Sequence, residues 1–192
     1  MQVWFAVASG LIVLVGAPFY LIDILKGTTK PVRMTWLIWS ILGIVAFVSQ
    51  LKLGAHWSLL FVGLEATGNL IIYGLSFKYG IGGWRWNDKV ALAVATAGVG
   101  LAFAAHSPLI ALWGVILADL AGGALTIYKA YQMPSSETVF TWLMLGLSSL
   151  LACFAVGKIS YQLLLYPVYF TLICWAVPVA QGLGYIHAKA QK

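Results

Sequence analysis

Seven apolar runs, parted by short polar or turn-rich connections, take up most of this 192-residue chain. They cover about 3–24, 35–52, 57–77, 90–105, 108–130, 138–157 and 161–186. The connections include Lys26-Gly27-Thr28-Thr29-Lys30-Pro31, the stretch from Gly80 to Lys89, and Met133-Pro134-Ser135-Ser136-Glu137. Gly, Pro and Ser at these points are turn chemistry. A helix crossing a bilayer needs about 20 apolar residues. Seven such helices would use about 140 residues and leave about 50 for loops and tails, too few for a separate soluble domain. Charged residues make up 8% of the chain, against roughly 25% in soluble domains. That shortage excludes a disordered chain, an ordinary cytosolic enzyme and a secreted disulfide scaffold. The expected fold class is an all-α membrane protein of seven transmembrane helices.

The net charge of +6 does not indicate a nucleic-acid partner. Its Lys and Arg residues are spread thinly, with no cluster that would follow a phosphate backbone. Read as loop charges, they set topology, because Lys and Arg collect in short cytoplasmic loops. With seven spans and the N-terminus outside, the inner set is Lys26, Lys30, Arg33, Lys78, Arg85, Lys89, Lys129, Lys189 and Lys192. The outer set is Lys52 and Lys158. If the short fourth run did not span, that nine-to-two split would fall to seven against four. The expectation is therefore a multi-pass protein, N-terminus outside and C-terminus cytoplasmic. Trp4, Trp57 and Trp113 fall at outer ends, and Trp36, Trp84, Trp86 and Trp142 near inner ends, as an aromatic belt requires. Trp39 and Trp175 fit neither end. The first run has no basic segment before it, so it is expected to stay as a helix. Cys153 and Cys174 lie in apolar runs and read as buried thiols.

The chain also repeats itself. Thr35-Trp36 opens the second run and Thr141-Trp142 the sixth, and a Lys follows each Trp by sixteen residues, at Lys52 and Lys158. Trp57-Ser58-Leu59-Leu60 then answers to Tyr161-Gln162-Leu163-Leu164. Upstream, Ile24-Leu25-Lys26 and Pro31 match Ile127-Tyr128-Lys129 and Pro134. Helices one to three and five to seven would then be two copies in one orientation, related by a near two-fold axis along the membrane normal. The divisions expected are 1–79 for the first triplet, 80–107 for a linker with helix four, and 108–192 for the second triplet with a short cytoplasmic tail. Ala91, Ala93, Ala95, Ala97, Gly98 and Gly100 on helix four, and Gly114, Ala118 and Gly122 on helix five, permit close backbone approach.

This three-plus-one-plus-three plan resembles the PQ-loop superfamily, which includes SWEET sugar facilitators, vitamin transporters of the PnuC type, cystinosin-like exporters and the KDEL receptor. The residues that carry the resemblance are Pro18-Phe19-Tyr20-Leu21-Ile22-Asp23-Ile24-Leu25-Lys26, Thr28-Thr29-Lys30-Pro31 and Thr35-Trp36. They look like the helix-one kink, basic loop and helix-two start of one repeat. Phe19 stands where the family has its Gln, and the second copy has Ala121-Gly122-Gly123 where it has a Pro. The resemblance is to a bacterial branch and implies a SWEET-like parallel repeat in a bacterial inner (plasma) membrane.

Glu65 and Asp119 are the two acids deep inside apolar runs, about 12 and 16 Å below their helix starts. Ionisable groups at such depth are expensive and tend to face a cavity or a partner. The expectation is one polar cavity lined by both acids, at least one of which binds a proton during transport; a locally bonded acid is the structural alternative. Asn69 follows Glu65 by four residues, on the same helical face. It resembles the pocket asparagine of helix three in SWEET proteins. An acid in helix five couples protons in some cystinosin-like members, which is what the resemblance implies for Asp119. Trp175, with Tyr169, offers a stacking wall. Pro18, Pro167 and Pro178 lie within helices, where each removes a backbone donor and permits a kink; they are the candidate hinges. Gln50 and Gln181 read as interfacial.

No Lys lies inside helix seven, which excludes a retinal Schiff base. His56, His106 and His187 sit at helix ends, so they cannot ligate an intramembrane haem. There is no P-loop, His-Glu-x-x-His or Gly-x-Ser-x-Gly, and no nucleophile stands beside the deep acids. No cofactor, metal or enzymatic activity is expected. The expected function is transport or facilitated passage of a small polar solute, with proton coupling as an added feature. The alternative is a non-transporting seven-helix receptor or assembly subunit. The expected partners are the lipid bilayer and the solute, with a homo-oligomer left open.

Overall fold

The computed structural model describes residues 2–52, 57–156 and 160–191. Lys158 and Lys192, which entered the topology count, and His56, placed at a helix end, lie outside the described residues. Among those described, the chain is all-helical: α1 (Gln2–Leu25), α2 (Arg33–Lys52), α3 (Trp57–Tyr79), α4 (Trp86–Ala104), α5 (Pro108–Gln132), α6 (Val139–Ala155) and α7 (Tyr161–Ala190). There is no strand among them, only one isolated parallel bridge between Val32 and Ile81. Each helix follows an apolar run within a few residues. Among the described residues, three stretches are long and apolar enough to cross a membrane: Gln2–Leu25, Leu109–Gln132 and Tyr161–Ala190. Arg33–Val48 and Val139–Ala155 are shorter apolar helices.

The apolar residues surround these helices rather than forming one stripe. In α1 only Gly16, Tyr20 and Ile24 are buried, while Val3, Leu11, Leu14, Val15 and Ile22 are exposed. A soluble helix hides such residues in a core. Continuous exposure of this kind marks a surface made for another apolar medium.

The helix ends are set by local chemistry. After α1, Gly27 adopts φ +76°. The Gly27 N–H donates to the Ile24 carbonyl at 2.9 Å and the Thr28 N–H to the Asp23 carbonyl at 3.0 Å. This is a Schellman closure, whose left-handed residue is most easily a glycine. Before α4, the Asp88 carboxylate accepts the N–H groups of Gly83 (3.1 Å) and Arg85 (3.0 Å), satisfying donors at the helix start. Between α3 and α4, Ile81 N–H donates to the Pro31 carbonyl and Arg33 N–H to the Ile81 carbonyl, both at 2.9 Å. A Cβ on Gly80 would lie 2.5 Å from the Pro31 oxygen, so this crossing needs glycine.

The helices group into two compact units, residues 1–29 with 127–192 and residues 30–126. The first holds α1, the end of α5, α6 and α7. The second holds α2, α3, α4 and the rest of α5. The sequence divisions 1–79, 80–107 and 108–192 describe repetition, and the packing units cut across them.

In the first unit α6 lies along α1. Ser9 and Ser148 hydroxyls are 2.9 Å apart, and Thr141 Oγ1 donates to the Gly16 carbonyl at 2.9 Å. A Cβ on Gly16 would come within 2.9 Å of Met144 Cβ. In the second unit α2 meets α5, where Thr35 Oγ1 donates to the Gly122 carbonyl at 2.7 Å. The same 106 residues separate Thr35 from Thr141 and Gly16 from Gly122. The small residues of α4 divide between two faces. Ala91, Ala95 and Gly98 are buried, and a Cβ on Gly98 would sit 2.5 Å from the Gly114 oxygen of α5. Ala93, Ala97 and Gly100 are exposed on the other face. Met34, Ile38, Ala91, Ala95 and Ala118 form the core there.

Candidate functional site

Three of the four expected binding residues lie in the second unit. Asp119, on α5, is buried at 6% exposure, one residue past the core residue Ala118. Asn69, on α3, is half-buried, and its Nδ2 donates to the Trp39 carbonyl at 3.3 Å. Glu65 is exposed on the same helix. Its neighbour Ala66 faces α2, where a Cβ on Gly43 would be 3.0 Å away. Trp39 touches both α3 and α5. Its carbonyl receives Asn69, and a Cβ on Gly122, one turn after Asp119, would meet its Nε1 at 3.3 Å. The Trp39 ring also packs edge-on against Trp36, with centroids 5.1 Å apart. Its failure to fit an aromatic belt was the sequence signal for this interior role.

Trp175 belongs to the first unit. Its Nε1 donates to the Leu143 carbonyl at 3.3 Å, and the indole lies directly on Gly146, leaving no room for a side chain there. Among the candidate hinges, Pro18 is exposed on α1, while Pro167 and Pro178 are half-buried on α7. The Pro167 carbonyl accepts two hydroxyls, Ser149 Oγ from α6 and Thr171 Oγ1 from its own helix, both at 2.8 Å. Pro167 is thus tied to α6 through its carbonyl.

The densest polar cluster is one that sequence reading missed. Lys129, at the end of α5, forms an ion pair with Glu137 just before α6, and the two side chains are 3% and 0% exposed. Lys129 Nζ also donates to the Ser136 carbonyl at 2.8 Å. On the Glu137 carboxylate, Oε2 accepts Trp142 Nε1 at 2.7 Å, and Oε1 accepts the Tyr20 hydroxyl at 3.4 Å. Thr138 Oγ1 donates to Asp23 Oδ2 at 2.9 Å and lies 2.6 Å from Thr29 Oγ1. Gln181 donates through Nε2 to the carbonyls of Pro134 and Glu137. It is buried at 3% exposure, against the turn between α5 and α6. A Cβ on Gly184 would run into the Tyr131 carbonyl, which seats α7 against the turn. Buried charges survive only when paired and bonded in this way. The cluster ties together the helix ends of the first unit.

No group of three or more His, Cys, Asp or Glu side chains suited to a metal ion occurs among the described residues. Comparison of the chain with protein-family models, curated proteins and solved structures found no match.

Proposed function

We propose that this chain is a non-enzymatic membrane transporter that moves a small polar solute through a site near the bilayer midplane. The observation that carries this reading is Asp119. It is a carboxyl at 6% exposure inside an apolar helix long enough to cross a bilayer. Such a group is retained at an energetic cost and is a functional candidate by default. Asn69 and Trp39 add hydrogen-bonding and aromatic surface in the same unit. Glu65 on α3 is the second proton-accepting candidate, and the in-helix prolines are the hinge candidates.

In this reading all seven helices span, N-terminus outside and C-terminus cytoplasmic, in a bacterial inner membrane. Residues 1–79 and 108–192 are two SWEET-like copies joined by 80–107. The equal spacing of the Thr35–Gly122 and Thr141–Gly16 hydrogen bonds supports the repeat. It pairs the first helix of each copy with the second helix of the other.

Proteoliposome uptake of a panel of polar solutes under a pH gradient tests the function. Asp119→Asn is expected to abolish gradient-driven uptake while the variant keeps its helicity and elutes as the parent does. Solute binding without flux in the parent protein would overturn transport in favour of a receptor. A C-terminal reporter read from the periplasm would overturn the topology.

A further inference from the structure

A half-buried cation and an apolar groove meet at one tryptophan in the second unit. Arg33, the first residue of α2, places its guanidinium over the Phe77 ring at 4.7 Å. Its two terminal nitrogens donate to the carbonyls of Gly82 (3.3 Å) and Ser76 (3.2 Å). The third nitrogen, Nε, is buried without a hydrogen-bond partner in the protein, and no carboxylate among the described residues pairs with this cation. Arg33 lines a cavity of about 110 Å³ together with Tyr73, Phe77 and Trp84. That is room for a phosphate-sized group, and planar guanidinium is the side chain best suited to phosphate.

Trp84 is also a wall of a second, more open space of about 560 Å³, which runs along α4 past Lys89, Leu92, Ala93, Thr96 and Ala97. These residues recur at three- and four-residue steps and so form one helix face. The face is the outer side of α4, opposite the buried Ala91, Ala95 and Gly98. From Lys89 to Ala97 it runs about 12 Å. It has a cation at one end and small or apolar side chains over the rest. Neither cavity has an acid in its lining. The nearby acid, Asp88, is buried and turned to the N–H groups of Gly83 and Arg85. Trp84 and the adjacent Trp86 are 70% and 76% exposed, the placement of indoles at headgroup level.

We infer that this composite surface is a binding site for one anionic phospholipid. Its phosphate sits with Arg33 and Lys89, and one acyl chain lies along α4. Charge complementarity selects the occupant. A neutral hydrocarbon would leave both cations unused, and a free anion would leave the groove empty. Basic pockets beside membrane helices recognise acidic headgroups in this way. The inference rests on α4 lying in the bilayer, as proposed above, and is independent of whether the protein transports.

Native mass spectrometry of the purified full chain tests it, with phosphatidylglycerol and phosphatidylcholine of matched acyl chains titrated separately. One phosphatidylglycerol is expected to bind about tenfold or more tightly than phosphatidylcholine, the product of two cations at about fivefold each or somewhat less. Lys89→Gln changes an exposed side chain and is expected to remove about fivefold of that preference. Arg33→Gln removes the remainder. Ala97→Phe, which fills the groove, weakens both lipids. Equal binding of the two lipids overturns the inference. So does a preference that survives both Lys89→Gln and Ala97→Phe, which would place the lipid elsewhere. Inorganic phosphate that binds alone as tightly as the lipid would make this a free-anion site instead.

Discussion

The two units share a frame and fill it with different chemistry. In each, a threonine at a helix start donates to the carbonyl of a glycine on a long apolar helix, Thr141 to Gly16 and Thr35 to Gly122. Below that bond the units diverge. In the first, Tyr20 stands one turn after Gly16 and reaches the Glu137 carboxylate, which also holds Lys129 and Trp142. In the second, the position 106 residues on from Tyr20 is Thr126, whose hydroxyl donates to Thr35 Oγ1 at 3.1 Å. One unit encloses a complete charge pair. The other encloses hydroxyls at the matching place and sets one of its cations, Arg33, against carbonyls and a ring. A common helix crossing thus fixes where polar groups stand without fixing their kind. The first unit encloses its Lys129–Glu137 pair at 3% and 0% exposure, while in the second the half-buried Arg33 has no carboxylate partner among the described residues.

The sharpest way to break this contrast is to remove the carboxylate. Glu137→Ala leaves Lys129 buried without its counter-ion and is expected to lower stability by about 3–5 kcal/mol, measured by chemical unfolding in detergent. The double variant Lys129→Met with Glu137→Leu should recover much of the loss, because an apolar pair needs no desolvation. An unchanged midpoint in the single variant would show that the charge pair does not hold the first unit. The second unit should instead be most sensitive at its closest backbone crossing. Gly98→Val forces α4 away from Gly114 and is expected to cost about 1–3 kcal/mol. Gly100→Val, where nothing lies within 4 Å of an added Cβ, serves as its near-silent control. The smallest effect tests the shared frame itself. Thr141→Val deletes one side-chain hydrogen bond, worth about 0.5–1.5 kcal/mol, whereas Thr35→Val deletes two, because Thr126 also donates to Thr35 Oγ1. Both variants should be destabilised, Thr35→Val the more, and a loss in one with none in the other would mean that the frames are not equivalent.

These features were unevenly legible in the sequence. Apolar runs bounded by Gly, Pro and Ser gave helix positions to within a few residues, since length and hydropathy are local properties. The small stripes of α4 and α5 announced a close crossing, and Gly98 and Gly114 make it. Their register is written in helical periodicity, although periodicity did not tell which face of α4 is buried. Deep acids were easy to locate, but their surroundings were not: Asp119 is buried and Glu65 exposed, because that depends on neighbouring helices. The Lys129–Glu137 pair was invisible for another reason. Counting charges assigns each Lys to a side of the membrane and says nothing of its partner. The turn at Pro134-Ser135-Ser136 folds the acid back onto the base. An opposite charge eight residues away across a turn was the available signal. Arg33 was likewise taken as a loop charge, while the pairing of Val32 with Ile81 draws it into a cavity.

The bond from Thr141 to Gly16 joins positions 125 residues apart. A ribosome adding about 5–20 residues per second needs roughly 6–25 s to cover that distance. Throughout that interval α1 has been synthesised and α6 has not. Ser9, Gly16, Tyr20 and Asp23 must wait with the contacts that will receive them still unmade. Among the described helices α1 therefore waits longest for the neighbour it packs on, α6, and completion of the first unit is timed by the arrival of residues 127–192.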